Sequence, residues 1–581
     1  MDPPFDSPDA HDSRDDYLEY GQPPTLPLPP GTYTLLPLVD ACDNVQLPQG
    51  PWSGQDCKRR WDEHVVRQTR NNSLRAGLAE ATEPAAAATE SALADDDDEE
   101  DESAPAAGRA DFDQEFLVPF FVALPPPPPN MPGTPARRRS SVGANSTRAS
   151  FSRMTPLPRL RSSSPTPSAS SFTRARADPS TAATAQPIGF LRPAVLRALI
   201  DDNRKLVAMN CKPVWAFQPP IHFPPPVRRP SYGSSRPASR RGSRSASMSG
   251  SNGIAPLSSA TSDGAATPAA DPAAAGAEGA LKLDDVLEGL KVLSASGARG
   301  HVSDVAGPWA VGFEDWVNEE GAETRREHMD RLVRGWKHMG LFPECLGGWR
   351  DEQYTIYGPA PPPSPEGDDN PLQTGSNEAF RMERSACALF GFGTFGVHCT
   401  AYVEEDGEPI KLWVPRRSAT KQTWPSYLDN TVAGGITAGD SPRQSIIREC
   451  AEEASLSPAF VAPRIKQAGV ITYQYRTVDG FLQPEVQYIY DLRLPPPSQE
   501  GAAEMGAVPT TNPADGEVES FELMSLEDVV EKMVAGEFKP NCALVLLDFF
   551  IRHGYLTTES DTRFLEIASR LHRPLGLPGP A

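Results

Sequence analysis

The chain has 581 residues, with 77 Asp and Glu against 55 Lys and Arg and a formal net charge of −22. So acidic a molecule is a poor polyanion binder, which argues against nucleic acid as a partner. Its 63 prolines and long biased tracts say that much of a chain long enough for three or four domains is not packed. No stretch approaches the ~20 apolar residues that span a bilayer, so no membrane partner is expected.

In chain order, residues 1–30 read as a disordered, acidic N-terminus, MDPPFDSPDAHDSRDDYLEY at its start. It lacks the apolar core of a secretory signal and the Arg-rich pattern of a transit peptide, so a cytoplasmic location is expected. Residues 31–360 read as a split α+β accessory domain, with islands LPLVDACDN (36–44), DFDQEFLVPFFVAL (111–124), IGFLRPAVLRALI (188–200) and VWAFQPPIHF (214–223). Amphipathic spacing predicts helices over LKLDDVLEGLKVL (281–293) and ETRREHMDRLVRGWKHMG (323–340). Between the islands, residues 85–110, 125–185 and 224–280 are alanine-rich, acidic or rich in Ser, Arg and Pro. They cannot bury enough surface to offset ordering entropy, so they are predicted as disordered insertions. Their basic runs precede Ser140, Ser141, Ser231 and Ser243 by two or three residues. Those runs suit basophilic kinases and phospho-dependent partners, nuclear entry or RNA contact, or a tolerated low-complexity insertion, and all three readings stay open. Residues 361–377 read as a linker.

The richest stretch lies between Gly434 and Leu456. Asp440 or Ser441 suits a helix N-cap and Pro442 the first helical position. Ile446, Ile447, Cys450 and Ala451 supply an apolar side. Glu449, Glu452 and Glu453 stand at i, i+3 and i+4, on one face. Each like-charge pair at that spacing costs a helix roughly 0.2–0.5 kcal/mol, which a bound cation removes. Hard oxygen ligands of this kind suit Mg²⁺ or Mn²⁺, and those ions suit diphosphates. A solvated acidic face is the bland alternative. The loop glycines and flanking strands favour the site.

The segment resembles the signature of the Nudix hydrolases: glycine, five residues, glutamate, seven residues, then Arg-Glu-aliphatic-any-Glu-Glu-any-Gly-aliphatic. Gly434, Arg448, Glu449, Glu452, Glu453 and Leu456 match, with Cys450 at an aliphatic position. Asp440 replaces the first glutamate and is one methylene shorter. Ser455 replaces the last glycine, where a positive φ is common. Longer runs resemble the Nudix branch related to the module fused to thiamine pyrophosphokinase in some fungi, with stand-alone relatives in yeasts and plants. LWVPRRSATKQTWPSYLDNTVAGGI (412–436) is the specific part, with GGWRDEQYTIYG (347–358), LPLVDACDN and FKPNCALVLLDFFIRHGYL (538–556) in support. The resemblance implies an α/β Nudix fold, an α/β/α sandwich with a mixed sheet over residues 378–575, preceded by the accessory domain. It further implies metal-dependent hydrolysis of thiamine diphosphate, or of its oxidised and damaged analogues, to the monophosphate.

Within that reading Glu449, Glu452 and Glu453 are the metal ligands, and Arg448, Glu452, Glu453 and Glu517 the catalytic candidates. Glu485 and Glu519 are further choices for a general base. Arg416, Arg417 and Lys421 suit the terminal phosphates and Gly434 and Gly435 the loop beneath them. Trp413 and Trp424 suit stacking on a flat, cationic ring, though ordinary core packing is as good a reading for either. Two other functions remain open: hydrolysis of nucleoside diphosphate derivatives, and a Nudix-fold sensor that binds without turnover. CxxC pairs are lacking, Thr472 stands where many ADP-sugar enzymes carry proline, and Tyr473 and Tyr475 are only a slight hint of dinucleoside polyphosphates. The eight scattered cysteines read as free thiols of a reducing compartment.

Overall fold

The computed structural model describes residues 26, 28–81, 115–128, 185–224, 281–282, 284–286, 288, 307–360 and 377–581. The disordered stretches expected from the sequence, and the motifs around Ser140, Ser141, Ser231 and Ser243, lie almost wholly outside them. Most of the helix expected at 281–293 does too; what is described there is a two-residue strand, Leu281–Lys282, and a helical stretch at 284–286.

Helix α1 (Leu36–Cys42) and helix α2 (Gly54–Ala81) open the chain. Short, wholly buried apolar runs then form β1 (Val118–Phe121), β2 (Gly189–Leu191) and, with one half-buried residue, β3 (Trp215–Gln218). With β4 (Ala310–Phe313) they make a four-stranded sheet in the order β2-β1-β4-β3. Helix α3 (Pro193–Ala208) buries Val195, Leu196, Leu199 and Ile200 in the core beside this sheet. Helix α4 (Ala322–His338) adds Met329, Leu332, Val333 and Trp336, the spacing of one helical stripe. Strands β5 (Gln353–Tyr357) and β6 (Glu378–Glu383) pair antiparallel and close this half.

The second half is a mixed sheet. Strands β7 (Thr394–Val403), β8 (Lys411–Arg417), β9 (Val432–Gly435), β10 (Lys466–Arg476), β11 (Leu482–Leu494) and β12 (Val518–Ser525) take the order β10-β11-β7-β8-β12, with β9 also on β7. β11 and β7 run parallel; the other pairs are antiparallel. Strand alternation assigns the faces. Val397, Cys399, Ala401 and Val403 of β7 share a core with Ile446, Cys450 and Ala454 of helix α5 (Pro442–Ala454). On the other face Tyr402 lies 5.7 Å from Phe549 of helix α7 (Pro540–Arg552), which follows α6 (Leu526–Val534). The result is the α/β/α sandwich expected for this half. Helix α8 (Phe564–Leu571) ends it.

Packing divides the chain differently from the expected boundaries at 360 and 378. Leu36, Val39 and Cys42 of α1 lie in the core of α7 and α8, not with the four-stranded sheet. Their stripe packs against α7 and α8, and the Leu35 N–H donates to Asp561 at 2.7 Å. Conversely Phe380, Met382, Cys387, Leu389, Phe390 and Phe392 belong to the accessory core. Side chains of each half therefore complete the other.

Candidate active site

Helix α5 starts on a capping box. The Ser441 hydroxyl accepts from the Gln444 N–H, and the Gln444 side chain accepts from the Ser441 N–H at 3.0 Å, with Pro442 at the first turn. Ser441, and not Asp440, is the N-cap. At the far end Ser455 takes φ +53°, the left-handed conformation expected of glycine, and the Leu456 N–H donates to the Cys450 carbonyl at 3.0 Å. The helix thus stops as a glycine would stop it, at the expense of some strain.

The three carboxylates do not share one environment. Glu452 is exposed, Glu449 half-buried and Glu453 buried, where it accepts from the Ala433 N–H at 3.1 Å. Burial, then the Glu452 and Glu517 charges, push Glu449 up to about 7. Burial, then Glu449 and Asp429, push Glu453 well above the usual carboxylate range. Arg448 holds Glu452 at 2.9 Å and Glu449 at 3.0 Å, and Asp440 still reaches it at 3.5 Å. A Cβ on Gly434 would lie 2.4 Å from Cδ of Glu449, so the carboxylate rests directly on bare strand backbone. This crowding is what hard-oxygen coordination of a divalent cation relieves, and the donor set fits Mg²⁺ or Mn²⁺.

Lys421 pairs with Glu517, whose backbone carbonyl accepts from the Ser418 N–H at 2.9 Å. Burial opposes charge on Glu517, but Lys421 outweighs it and keeps the carboxyl below its ordinary range. Of the three further carboxylates, Glu517 is the one whose charge reaches Glu449. Glu519 is exposed on β12, and Glu485 lies on the opposite sheet face, bonded to Tyr473.

The expected cluster of Arg416, Arg417 and Lys421 is split by strand alternation. Arg417 turns towards Asp429 at 2.6 Å and feels the charge of Glu453, whereas Arg416 bonds the Ser426 carbonyl and lies 3.8 Å from Glu537. The aromatic pair is split too. Trp413 is packed in the core shared with α5, because β8 points it inward opposite Leu523, while Trp424 stays half-buried in the following loop, 5.0 Å from Tyr427. Trp424 shares its loop with Lys421, and its backbone carbonyl accepts from Arg417 at 3.1 Å.

Sequence reasoning missed a buried trio, His398, Asp429 and Cys542, whose ligand atoms lie within 4.8 Å of one another. The Cys542 thiol donates to Asp429 at 2.6 Å, and His398 Nδ1 meets Asn430 Oδ1 at 2.7 Å. Burial opposes charge on Asp429, yet Lys539, then Arg417, bring its carboxyl down to about 2. Two cations already compensate this carboxylate, so we read the trio as the bolt between α7 and the sheet. With its ends 144 positions apart, it leaves no local signal.

Sequence reasoning also missed residues from the accessory half. Tyr354 places its hydroxyl against Gly435, in the space that a Cβ there would occupy. The Gln353 carbonyl accepts from the Ala438 N–H at 2.8 Å, and Glu352 accepts from Thr437 at 3.0 Å. Among the described residues no helix is long and apolar enough to cross a membrane.

Comparison with known proteins matches residues 395–543 to the NUDIX domain. The chain is 38% identical over 272 residues to the uncharacterized protein YJR142W of Saccharomyces cerevisiae, covering 45% of this chain and 71% of that one. It is 38% identical over 194 residues to Nudix hydrolase 20, chloroplastic, of Arabidopsis thaliana, and 37% over 194 residues to Nudix hydrolase 24, chloroplastic, of the same plant. Those two matches each cover 33% of this chain and 48% and 49% of the plant proteins, so the chain spans about half the length of either. The yeast match is longer than the NUDIX span, so the likeness continues outside it.

Proposed function

We propose that this chain, a member of the Nudix superfamily and a diphosphate hydrolase, acts on thiamine diphosphate or an oxidised or damaged analogue and cleaves it to the monophosphate. The seating of Glu449 on Gly434, with the Glu452 and Glu453 charges crowded around it, carries the hydrolase reading. The residues of 412–436, with their resemblance to the thiamine-linked branch, support the substrate.

Glu449, Glu452 and Glu453 would hold a divalent cation, which when bound supplies charge neutralisation for the diphosphate and a more acidic water. Arg448 keeps Glu449 and Glu452 in place. Glu517, held ionised by Lys421, would take a proton from the attacking water, and Lys421 and Arg417 would favour the phosphate charge. Arg416, turned away towards Glu537, is left out of the phosphate site.

The test is product release, by liquid chromatography with Mg²⁺, from thiamine diphosphate, its oxo form, ADP-ribose, NADH and a diadenosine polyphosphate. Conversion of the thiamine compounds to monophosphates is the expected outcome. Turnover confined to the nucleotides overturns the substrate and keeps the enzyme; turnover of nothing on the panel, with binding retained, turns the reading to a sensor.

A further inference from the structure

Glycines strip side chains from both faces of the strand beneath the carboxylates. On one face Gly434 meets Glu449. On the other, Gly435 meets the Tyr354 hydroxyl, and Gly396, its partner on β7, would place a Cβ against the Gln487 side-chain oxygen. This second face carries polar groups that hydrolysis does not use. Tyr473 donates to Glu485 Oε2, which also accepts from Gln487 Nε2 at 2.6 Å. Tyr473 Oη in turn accepts from Gln487 at 2.9 Å and from Asn541 at 3.0 Å. Gln487 is 3% exposed, yet its Oε1 has no hydrogen-bond partner. Buried acceptors are normally satisfied, so an unpartnered one points to a donor from elsewhere.

The accessory half forms the opposite wall. Arg384 donates to Glu352 at 2.9 Å and lies 5.4 Å from the centre of the Tyr354 ring, within the field of Glu485. Its side chain nevertheless remains 39% accessible. Because Glu352 also accepts from Thr437, and Gln353 from Ala438, this wall is fastened to the loop that carries the glycines. The Tyr354 hydroxyl and the Gln487 side chain rest on the two glycines, so phenol rings, not bare backbone, are what this wall offers a planar guest. Two acceptors, the Glu485 carboxylate and Gln487 Oε1, call for N–H donors on its edge.

We propose that Arg384 and Tyr354 of the accessory half, with Glu485 and Gln487 of the Nudix sheet, form the subsite for an amino-bearing heterocycle carried by the diphosphate. The inference rests on the hydrolase reading above and assigns the accessory half a share in substrate choice. It also accounts for why the fold keeps the two halves in side-chain contact at the catalytic loop.

The test compares wild type with Glu485→Gln, Arg384→Met, Arg384→Lys and Tyr354→Phe on two amino-heterocycle diphosphates, thiamine diphosphate and ADP-ribose, and on methyl diphosphate, which has no ring. Losing one charge-assisted hydrogen bond corresponds to roughly tenfold in affinity. Glu485→Gln and Arg384→Met should raise KM for the ring-bearing compound by about that factor with kcat within about twofold, and cut the preference for it over methyl diphosphate equally. Arg384→Lys should restore part of the loss. Equal losses on ring-bearing and methyl substrates, or no loss on either, overturn the subsite, provided melting temperatures match wild type. If wild type hydrolyses none of the three, the hydrolase reading has failed instead. Equilibrium binding of thiamine monophosphate and AMP then decides the subsite, and unchanged affinity in Glu485→Gln overturns it.

Discussion

Replacing Gly434 with alanine tests the site most directly. The added Cβ would lie 2.4 Å from Cδ of Glu449, 2.6 Å from Oε1 and 2.7 Å from Cγ. Favourable contact begins near ~3.5 Å, so the carboxylate must retreat by about 1 Å. Gly434 has no positive φ, so the backbone itself tolerates alanine. Overpacking of this kind costs about 1–3 kcal/mol, a fraction of the 5–15 kcal/mol typical of a folded domain, and the fold should survive. Activity should not, because metal ligands tolerate only about 0.2 Å and a 1 Å misplacement costs on the order of 100-fold in rate. We expect kcat to fall about 100-fold and Mn²⁺ affinity, followed by electron paramagnetic resonance, to weaken with little change in melting temperature. Gly469→Ala, with nothing within 4 Å of its Cβ, is the control. Activity of Gly434→Ala within threefold of wild type, at unchanged metal affinity, would refute the argument.

Four further outcomes follow from the same geometry. Glu452→Gln should abolish turnover with Mg²⁺ and leave the melting temperature alone, since Glu452 is exposed; surviving activity removes it from the metal set. Arg417→Met leaves Asp429, buried and bonded to it at 2.6 Å, with the Lys539 charge alone and should cost about 1.5–3 kcal/mol in guanidinium unfolding, the worth of a charge-assisted hydrogen bond; a loss under 1 kcal/mol counts against the pair. Ser455→Gly should stabilise by about 1 kcal/mol, because glycine adopts φ +53° without strain; an unchanged unfolding midpoint contradicts that. Burial, then Lys539, hold His398 at about 4 against an ordinary value of 6.5. The unfolded chain therefore takes up this proton first, so the contribution of His398 is complete above pH ~6.5 and is lost as pH falls towards ~4. Its size is on the order of 3 kcal/mol. His398→Gln should flatten the stability profile between those values, and equal slopes in both proteins would argue against it.

What was legible beforehand follows contact range. Helix α5, its cap and its three glutamates are local features, so spacing alone placed them. The accessory strands and helices were legible as apolar islands, though not as partners. Trp413 and Trp424 lie close in sequence and were read together, but β8 alternation sends the first into the core. Arg416 and Arg417 are adjacent for that very reason on opposite sides. Identity of residue and nearness in sequence do not say which face of a strand a side chain takes until the register with β7 and β12 is known.

By itself, then, the sequence determined the carboxylate helix, the glycine loop before it and the chemistry such a pair can support, because each depends on neighbours within a few turns. Only the tertiary structure decided that Glu453 is buried against Ala433, that α1 completes the core of α7 and α8, and that Tyr354 and, through Glu352, Arg384 stand beside the glycine loop. Those contacts join residues tens to hundreds of positions apart, and burial against a particular partner has no periodicity for a linear reading to detect.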